Sequence, residues 1–189
     1  MSPARIPDPK AFIRANTALL APPLVAELRL YLASEVVPLW RKTEEELEKE
    51  GVPPPYWAFA WAGGQALARY VLDHRDVVAA KRVLDFGSGS GLVALAAAKA
   101  GAASVLAADI DAFAAAVIEL NADANHMRVD ITTDDVIGRA DDKVIAGKFH
   151  KSPIADRLRP RFALHQNAID IFHIHARWIE RASGTPIGC

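Results

Sequence analysis

Short hydrophobic runs alternate with helical patterns along the middle of the chain. Four runs predict short buried strands: 82–86, 104–108, 128–132 and 143–147. Two alanine-rich segments between the first three runs predict helices: 92–100, which Gly101 is placed to end, and 112–125. The order strand, helix, strand, helix, strand predicts an α/β fold with a mostly parallel sheet and helices on both of its faces.

The N-terminal part of the chain shows helical patterns only. Residues 5–20 predict one helix, which the prolines at 22–23 end. Residues 25–40 predict a second, because apolar residues recur there at helical spacing: Val25, Leu28, Leu32, Val36 and Leu39. Three prolines at 53–55 then force an extended backbone. We therefore predict two regions: a helical N-terminal extension over 1–52 and a main domain over 53–189. The first predicted helix of the main domain covers residues 63–73.

Composition narrows the class of protein. The chain has 189 residues, 51% of them hydrophobic, which is enough for one domain with a core. Its net charge of −1 lacks the basic excess of nucleic-acid-binding proteins. The single cysteine, Cys189, excludes an internal disulfide and a cysteine-ligated metal cluster. The chain shows neither a signal-peptide pattern nor a membrane-spanning apolar run. We expect a cytoplasmic protein that binds neither nucleic acid nor a membrane.

The most informative motif is the turn after the first predicted strand. Residues 87–91, here called the glycine loop, read Gly-Ser-Gly-Ser-Gly. Ligands of open α/β sheets bind beyond the carboxyl ends of the strands, and glycines let a ligand approach the backbone. The helix that follows adds unpaired N–H groups and a partial positive charge. The motif predicts a ligand site, and a tight turn without a ligand is its structural alternative.

Two nucleotide-binding alternatives fit this loop less well. A phosphate-binding ATPase loop requires a lysine after its last glycine, and Leu92 stands there instead. A dinucleotide-binding turn requires Gly-x-Gly-x-x-Gly. Counted from Gly87 the pattern fails at Leu92, and counted from Gly89 it places Ala94 at the third glycine. Alanine is tolerated at that point, so a nucleotide-dependent oxidoreductase stays an alternative.

Carboxylates on both sides of the loop favour a third ligand, S-adenosylmethionine. Asp85, two residues before the loop, is placed to reach the ammonium group of this ligand, whereas it would repel a pyrophosphate. Asp109, after the second predicted strand, is placed to accept hydrogen bonds from both ribose hydroxyls. After the third strand, Asp134 and Asp135 offer a carboxylate for the adenine amino group, and we favour Asp135. The alternative for this pair is a solvated turn or a helix cap.

At these residues the chain resembles the class I S-adenosylmethionine-dependent methyltransferases. It is most similar to bacterial relatives of the electron-transfer-flavoprotein β-subunit lysine methyltransferase, often labelled nicotinamide N-methylase-like. The resemblance covers residues 10–147 and rests on these stretches: 16–17, 21–23, 54–70, 83–92, 108–111 and 120–122. Its most specific part is the aromatic segment, residues 56–61, which reads Tyr-Trp-Ala-Phe-Ala-Trp.

The resemblance implies a Rossmann-like methyltransferase fold and methylation of a protein lysine or a small amine. It assigns these residues to S-adenosylmethionine: Asp85, Gly87, Ser88, Gly89, Gly91, Asp109, Ile110, Asp135, Trp61 and Gly64. It also implies that residues 57–64 close over the methionine end of the cofactor and that Trp57 contacts the substrate. Aromatic faces stabilise a sulfonium cation, and a dry wall keeps water from the methyl group. The alternative for both tryptophans is packing in the core.

The chain departs from this family after the fourth predicted strand. The family carries an aspartate there, in a Gly-Asp-x-Phe-Tyr-type segment beside the acceptor amine, whereas this chain reads Gly147-Lys148-Phe149-His150. Residues 149–189 match the family poorly, so we expect a truncated or divergent C-terminus and an incomplete sheet. An acceptor lysine must lose its proton before it attacks, and the missing acid removes one helper. A cofactor-binding module with weak or no activity is therefore the alternative function.

Histidines offer two further candidates. His165, His173 and His175 have a spacing that can bind zinc, but no cysteine lies nearby, and we expect no metal site. His150 is placed to act as a base at the mouth of the cofactor site, with a surface position as the alternative. We assign no catalytic residue from the sequence.

Overall fold

The computed structural model of the chain describes residues 8–33 and 55–136, and the backbone of residues 144–147. Several predictions lie outside these residues, including those for Lys148, His150, the three C-terminal histidines and the poorly matched tail. None of the helices within the described ranges is long and apolar enough to cross a membrane.

The first described residues form a short helix and a two-stranded antiparallel hairpin. These elements are α1 Pro9–Asn16, β1 Ala18–Leu20 and β2 Leu30–Leu32. Asp8 caps α1, because its side chain accepts a 3.1 Å hydrogen bond from the backbone N–H of Lys10. The two strands pair with Ala18 opposite Leu32.

The hairpin corrects the predicted N-terminal helices. The first helix ends at Asn16, and residues 25–33 form turns and strand β2 where a second helix was expected. Leu28 and Leu32 are buried as their spacing predicted. Residues four apart share a face in a strand as well as in a helix, so the apolar pattern did not distinguish the two. The extension over 1–52 is therefore not all-helical, and its boundary stays a prediction.

The central sheet confirms the predicted α/β fold. Its strands are β3 Arg82–Phe86, β4 Ser104–Ala108, β5 Asp130–Thr132 and β6 Val144–Gly147. They lie in the order β5-β4-β3-β6, and all neighbouring pairs are parallel. Phe86 pairs with both Ala108 and Gly147, so the carboxyl ends of β4, β3 and β6 are level. The chain continues from β3 to β4 on one side and returns as β6 on the other, which places the glycine loop at a topological switch point.

Three helices follow the bounds that the sequence predicted to within one residue. They are α2 Ala62–Asp73, α3 Leu92–Lys99 and α4 Ala112–Ala124. In α3 all residues from Leu92 to Ala97 are buried, because the small alanine side chains let this helix pack closely between its neighbours. Gly101 has a φ of +95°, so a glycine follows the last turn of α3 as expected.

Candidate functional site

The glycine loop is a chain of left-handed turns held on the end of strand β4. Gly87, Gly89 and Gly91 have φ angles of +65°, +55° and +76°. Glycine adopts such angles without the strain that a β-carbon brings, which explains the three glycines. The backbone N–H groups of Gly87 and Ser88 both donate to the carbonyl oxygen of Ala108, at 2.9 and 3.2 Å. The loop is therefore built into the sheet rather than mobile above it.

Asp85 fixes the glycine loop through hydrogen bonds. Its side chain is 1% exposed, and its Oδ2 accepts hydrogen bonds from the hydroxyl of Ser88 at 2.5 Å and the N–H of Ala94 at 3.0 Å. Ala94 lies in the first turn of α3, so one carboxylate both fixes the loop and satisfies an otherwise unpaired helix N–H. Asp85 also lines the pocket described below, where its negative charge faces any bound ligand. Its contact with a ligand ammonium group stays a prediction.

Asp109 ties the end of β4 to the same loop. Its Oδ2 accepts a 2.8 Å hydrogen bond from the N–H of Gly89, and its Oδ1 accepts a 3.1 Å bond from the N–H of Asp111. An ionised carboxylate has about four acceptor positions. The described residues use two of them, one on each oxygen, which leaves each oxygen able to accept from one ribose hydroxyl. The geometry is compatible with the predicted role of Asp109.

The start of α4 carries a second carboxylate and an exposed apolar residue. Asp111 caps the helix by accepting a 2.8 Å hydrogen bond from the N–H of Phe113. Burial raises the pKa of Asp111, and the charge of Asp109 raises it further. Ile110 is 82% exposed, so its side chain is accessible for the predicted contact with the cofactor.

A pocket opens between the glycine loop and the aromatic segment. Its walls combine polar loop residues with apolar and aromatic side chains: Phe59, Trp61, Gly64, Asp85, Gly87, Ser88, Ser90, Leu92 and Val93. Five residues predicted from the sequence are among them, namely Trp61, Gly64, Asp85, Gly87 and Ser88. The other four, Phe59, Ser90, Leu92 and Val93, were not singled out, although all lie within or beside the two predicted motifs.

Trp61 forms the outer aromatic wall of this pocket. It is 40% exposed, and its indole N–H donates a 2.9 Å hydrogen bond to the carbonyl oxygen of Tyr56. Its ring meets the ring of Phe59 edge-on, with centroids 5.7 Å apart. The same Tyr56 carbonyl lies 3.9 Å from where a β-carbon on Gly89 would stand. The aromatic segment thus lies directly against the glycine loop, in a position to cover a bound cofactor.

Trp57 does not contact this pocket, and the structure corrects its predicted role. It is 1% exposed and stacks on Phe113, with ring centroids 5.8 Å apart and an angle of 14° between the planes. Ile13 belongs to the same buried cluster, so Trp57 anchors the aromatic segment between α1 and α4. Its indole N–H is buried without a hydrogen-bond partner among the described residues. A substrate has no access to this side chain.

The remaining predicted residues lie near the loop but outside the pocket lining. Gly91 precedes α3, and a β-carbon there would stand 3.0 Å from Cγ1 of Ile118, so its role is close packing against α4. Asp134 and Asp135 are both exposed after β5, and the N–H of Asp134 bonds to the hydroxyl of Thr132 at 3.1 Å. Asp135 as the adenine contact stays a prediction. Within the described ranges no group of three His, Cys, Asp or Glu residues is placed to hold a metal ion.

Comparisons with known proteins match this chain to methyltransferases. Residues 65–149 match the family model for ribosomal protein L11 methyltransferase (PrmA). The electron transfer flavoprotein beta subunit lysine methyltransferase of Xenopus laevis is 39% identical over 155 residues, which cover 79% of this chain and 62% of the relative. The Homo sapiens protein of the same name is 38% identical over 158 residues, which cover 80% and 59%. A solved ribosomal protein L11 methylase from Lactobacillus delbrueckii subsp. bulgaricus aligns at 31% identity and a TM-score of 0.43, over 50% of each chain.

These matches confirm the resemblance that the aromatic segment and the glycine loop predicted. The family model and both curated relatives are methyltransferases, and both relatives carry the lysine-methyltransferase name. The matches also support S-adenosylmethionine as the cofactor. The chain spans 62% and 59% of the length of the two relatives, so the match concerns a part of each of them.

Proposed function

We propose that this relative of the class I methyltransferases binds S-adenosylmethionine at the glycine loop and transfers its methyl group to a protein lysine. The observation that carries the proposal is the pair of carboxylates, Asp85 and Asp109, that accept hydrogen bonds from the consecutive loop residues Ser88 and Gly89. Asp85 lies in β3 and Asp109 directly follows β4, and these two parallel strands end at the same edge of the sheet. This is the place where open α/β sheets bind their ligands.

The charge of the pocket favours this cofactor over a dinucleotide. S-adenosylmethionine carries a sulfonium and an ammonium group, and both are cations that a nearby carboxylate stabilises. Asp85 lines the pocket, and Asp109 accepts a hydrogen bond from Gly89 of the same loop. Asp85 would repel a pyrophosphate placed on the loop, whereas Asp109 suits the ribose of either ligand. The aromatic ring of Trp61 at the pocket wall is a suitable neighbour for the sulfonium.

Methyl transfer then requires positioning more than covalent catalysis. When bound, S-adenosylmethionine would supply its methyl group to a neutral acceptor nitrogen and leave as S-adenosylhomocysteine, with the electron pair of the broken S–C bond on sulfur. The methylated amine would then release a proton. The hydrophobic wall of Phe59 and Trp61 supports the reaction by excluding water and by favouring the neutral form of an incoming amine. We assign no base to this step.

The names of the relatives support lysine as the acceptor. Both curated relatives are described as lysine methyltransferases of the electron transfer flavoprotein beta subunit. We therefore propose a lysine of a flavoprotein subunit, or of a protein with a similar surface, as the acceptor, with a small amine as the alternative. A cytoplasmic location, and the absence of nucleic-acid and membrane binding, stay predictions from the sequence, which fractionation of cells would test.

A labelling experiment tests this function. Full-length chain, S-adenosylmethionine with a radioactive methyl group and either purified electron transfer flavoprotein or a cell lysate are incubated together. We expect label on protein lysines, identified by mass spectrometry of peptides, and at least a tenfold loss of label with Asp109→Ala because about 1.4 kcal/mol of cofactor binding suffices for that change. If the chain binds S-adenosylhomocysteine in calorimetry but labels nothing, the enzyme assignment is wrong and the binding-module alternative holds.

A further inference from the structure

The side chain of Asn121 joins the glycine loop to the N-terminal hairpin. Asn121 lies in the last turns of α4 and is fully buried, at 0% exposure. Its Nδ2 donates a 2.8 Å hydrogen bond to the carbonyl oxygen of Ser90, and its Oδ1 accepts a 2.7 Å bond from the backbone N–H of Tyr31. These partners lie 31 and 90 positions away along the chain. One amide thus connects the cofactor loop with strand β2.

The two hydrogen bonds require both a donor and an acceptor from the side chain at position 121. The Ser90 carbonyl needs a donor and the Tyr31 N–H needs an acceptor; the bond to Ser90 is buried and the bond from Tyr31 is partly buried. A carboxamide supplies one of each, whereas a carboxylate supplies acceptors only. An unsatisfied buried polar group is unfavourable, so an asparagine here fixes the distance and orientation between its two partners. Ser90 is itself part of the pocket wall, whereas Asn121 is not.

A third hydrogen bond joins the hairpin to the aromatic segment. The N–H of Ala33, directly after β2, donates to the carbonyl oxygen of Ala58 in the aromatic segment at 2.8 Å. The aromatic segment in turn lies against Gly89, through the Tyr56 carbonyl. Loop, Asn121, hairpin and aromatic segment therefore form one closed circuit around the pocket. Trp61 is joined to this circuit by the hydrogen bond from its indole N–H to the Tyr56 carbonyl.

We propose that Asn121 is a positioning residue for the cofactor site, which sets the glycine loop at the correct distance from the aromatic segment through strand β2. The inference rests on the proposed cofactor site and adds to it a determinant that does not touch the ligand. Loss of the Ser90 contact lets the loop move away from the pocket wall, and cofactor affinity falls even where the fold is kept.

The chain supplies a matched control for this residue. Asn125 lies one turn further along the chain and binds the same hairpin, accepting from the N–H of Arg29 at 3.0 Å and donating to its carbonyl at 2.6 Å. Among the described residues, its side chain bonds to the hairpin and to α4, not to the glycine loop. A purely structural role for the asparagines predicts that both variants behave alike, whereas a positioning role predicts a difference in affinity.

The test compares Asn121→Asp with Asn125→Asp by calorimetric titration with S-adenosylhomocysteine, alongside thermal unfolding. Asn121→Asp keeps the acceptor for Tyr31 and loses the donor for Ser90. We expect it to raise Kd about tenfold, the order of one hydrogen bond, while Asn125→Asp leaves Kd within about twofold. Equal Kd values for wild type and Asn121→Asp, or equal losses in both variants, overturn the inference.

Amide hydrogen exchange on the wild type gives an answer even if Asn121→Asp does not fold. The N–H of Tyr31 donates to Asn121, and the N–H of Arg29 donates to Asn125. S-adenosylhomocysteine is expected to slow hydrogen exchange more at Tyr31 than at Arg29. Equal protection of both amides overturns the inference. A wild type that binds no S-adenosylhomocysteine overturns the proposed cofactor site itself, and this inference with it.

Discussion

Replacement of Asp109 by alanine is expected to lower the affinity for S-adenosylhomocysteine at least about 100-fold, which corresponds to about 2.7 kcal/mol or more. Hydrogen bonds to a charged group contribute about 1.5–3 kcal/mol each, and the proposed ribose contact has two of them. The substitution also removes the partner of the Gly89 N–H, which Asp109 holds at 2.8 Å. Isothermal titration calorimetry of both proteins measures the change directly.

Asp123→Ala is the matched control for this experiment. This substitution removes the same charge as Asp109→Ala does. Asp123 lies exposed on α4 and is not among the pocket-lining residues. The affinity of Asp123→Ala for S-adenosylhomocysteine should equal that of the wild type. If Asp109→Ala binds S-adenosylhomocysteine as tightly as Asp123→Ala does, the ribose contact is misassigned and the cofactor geometry fails.

Replacement of Gly91 by alanine should destabilise the fold by roughly 2–6 kcal/mol. A non-glycine residue at a φ of +76° carries strain of about 1–3 kcal/mol. The new methyl group would stand 3.0 Å from Cγ1 and 3.2 Å from Cγ2 of Ile118, and such overpacking costs roughly 1–3 kcal/mol more. Ile118 is fully buried and has little room to move. Urea denaturation gives the free energy of unfolding for the comparison.

Gly101→Ala separates the two contributions. Gly101 also has a positive φ, at +95°, but nothing lies within 4 Å of a β-carbon built there. This variant should lose only the backbone contribution, roughly 1–2 kcal/mol. Equal destabilisation by the two substitutions would show that contact between the loop and α4 contributes nothing, and that Gly91 is required for its backbone angle alone.

The sequence was sufficient for the parts of the site that depend on local patterns. Strands β3 and β4 have the predicted bounds, because short buried strands followed by glycine or aspartate turns are recognisable within a few residues. Asp85 and Asp109 stand at the ends of these strands, so the parallel register alone brings them to one edge. The glycine loop could be recognised from the spacing of its own three glycines.

Features that depend on distant partners were not predictable in the same way. Strand β2 resembles a helix in its apolar spacing, and it is a strand because β1 pairs with it and because Asn121 accepts its outward N–H. Trp57 and Trp61 belong to one motif, yet a 3-10 turn at Tyr56–Ala58 directs the first into the core and leaves the second at the pocket. Asn121 gave no signal as a positioning residue, since its partners are far away along the chain.

We expect the glycine loop and Asp85 to form a site for an adenosyl amino acid and not for a dinucleotide. Calorimetric titration of the wild-type chain with S-adenosylhomocysteine and, separately, with NAD⁺ tests this expectation most directly. Binding of S-adenosylhomocysteine should be saturable and one-to-one, and NAD⁺ should give no measurable heat, because the Asp85 carboxylate at the pocket favours the ammonium group of the first ligand and would repel the pyrophosphate of the second. Saturable binding of NAD⁺ without binding of S-adenosylhomocysteine would contradict it.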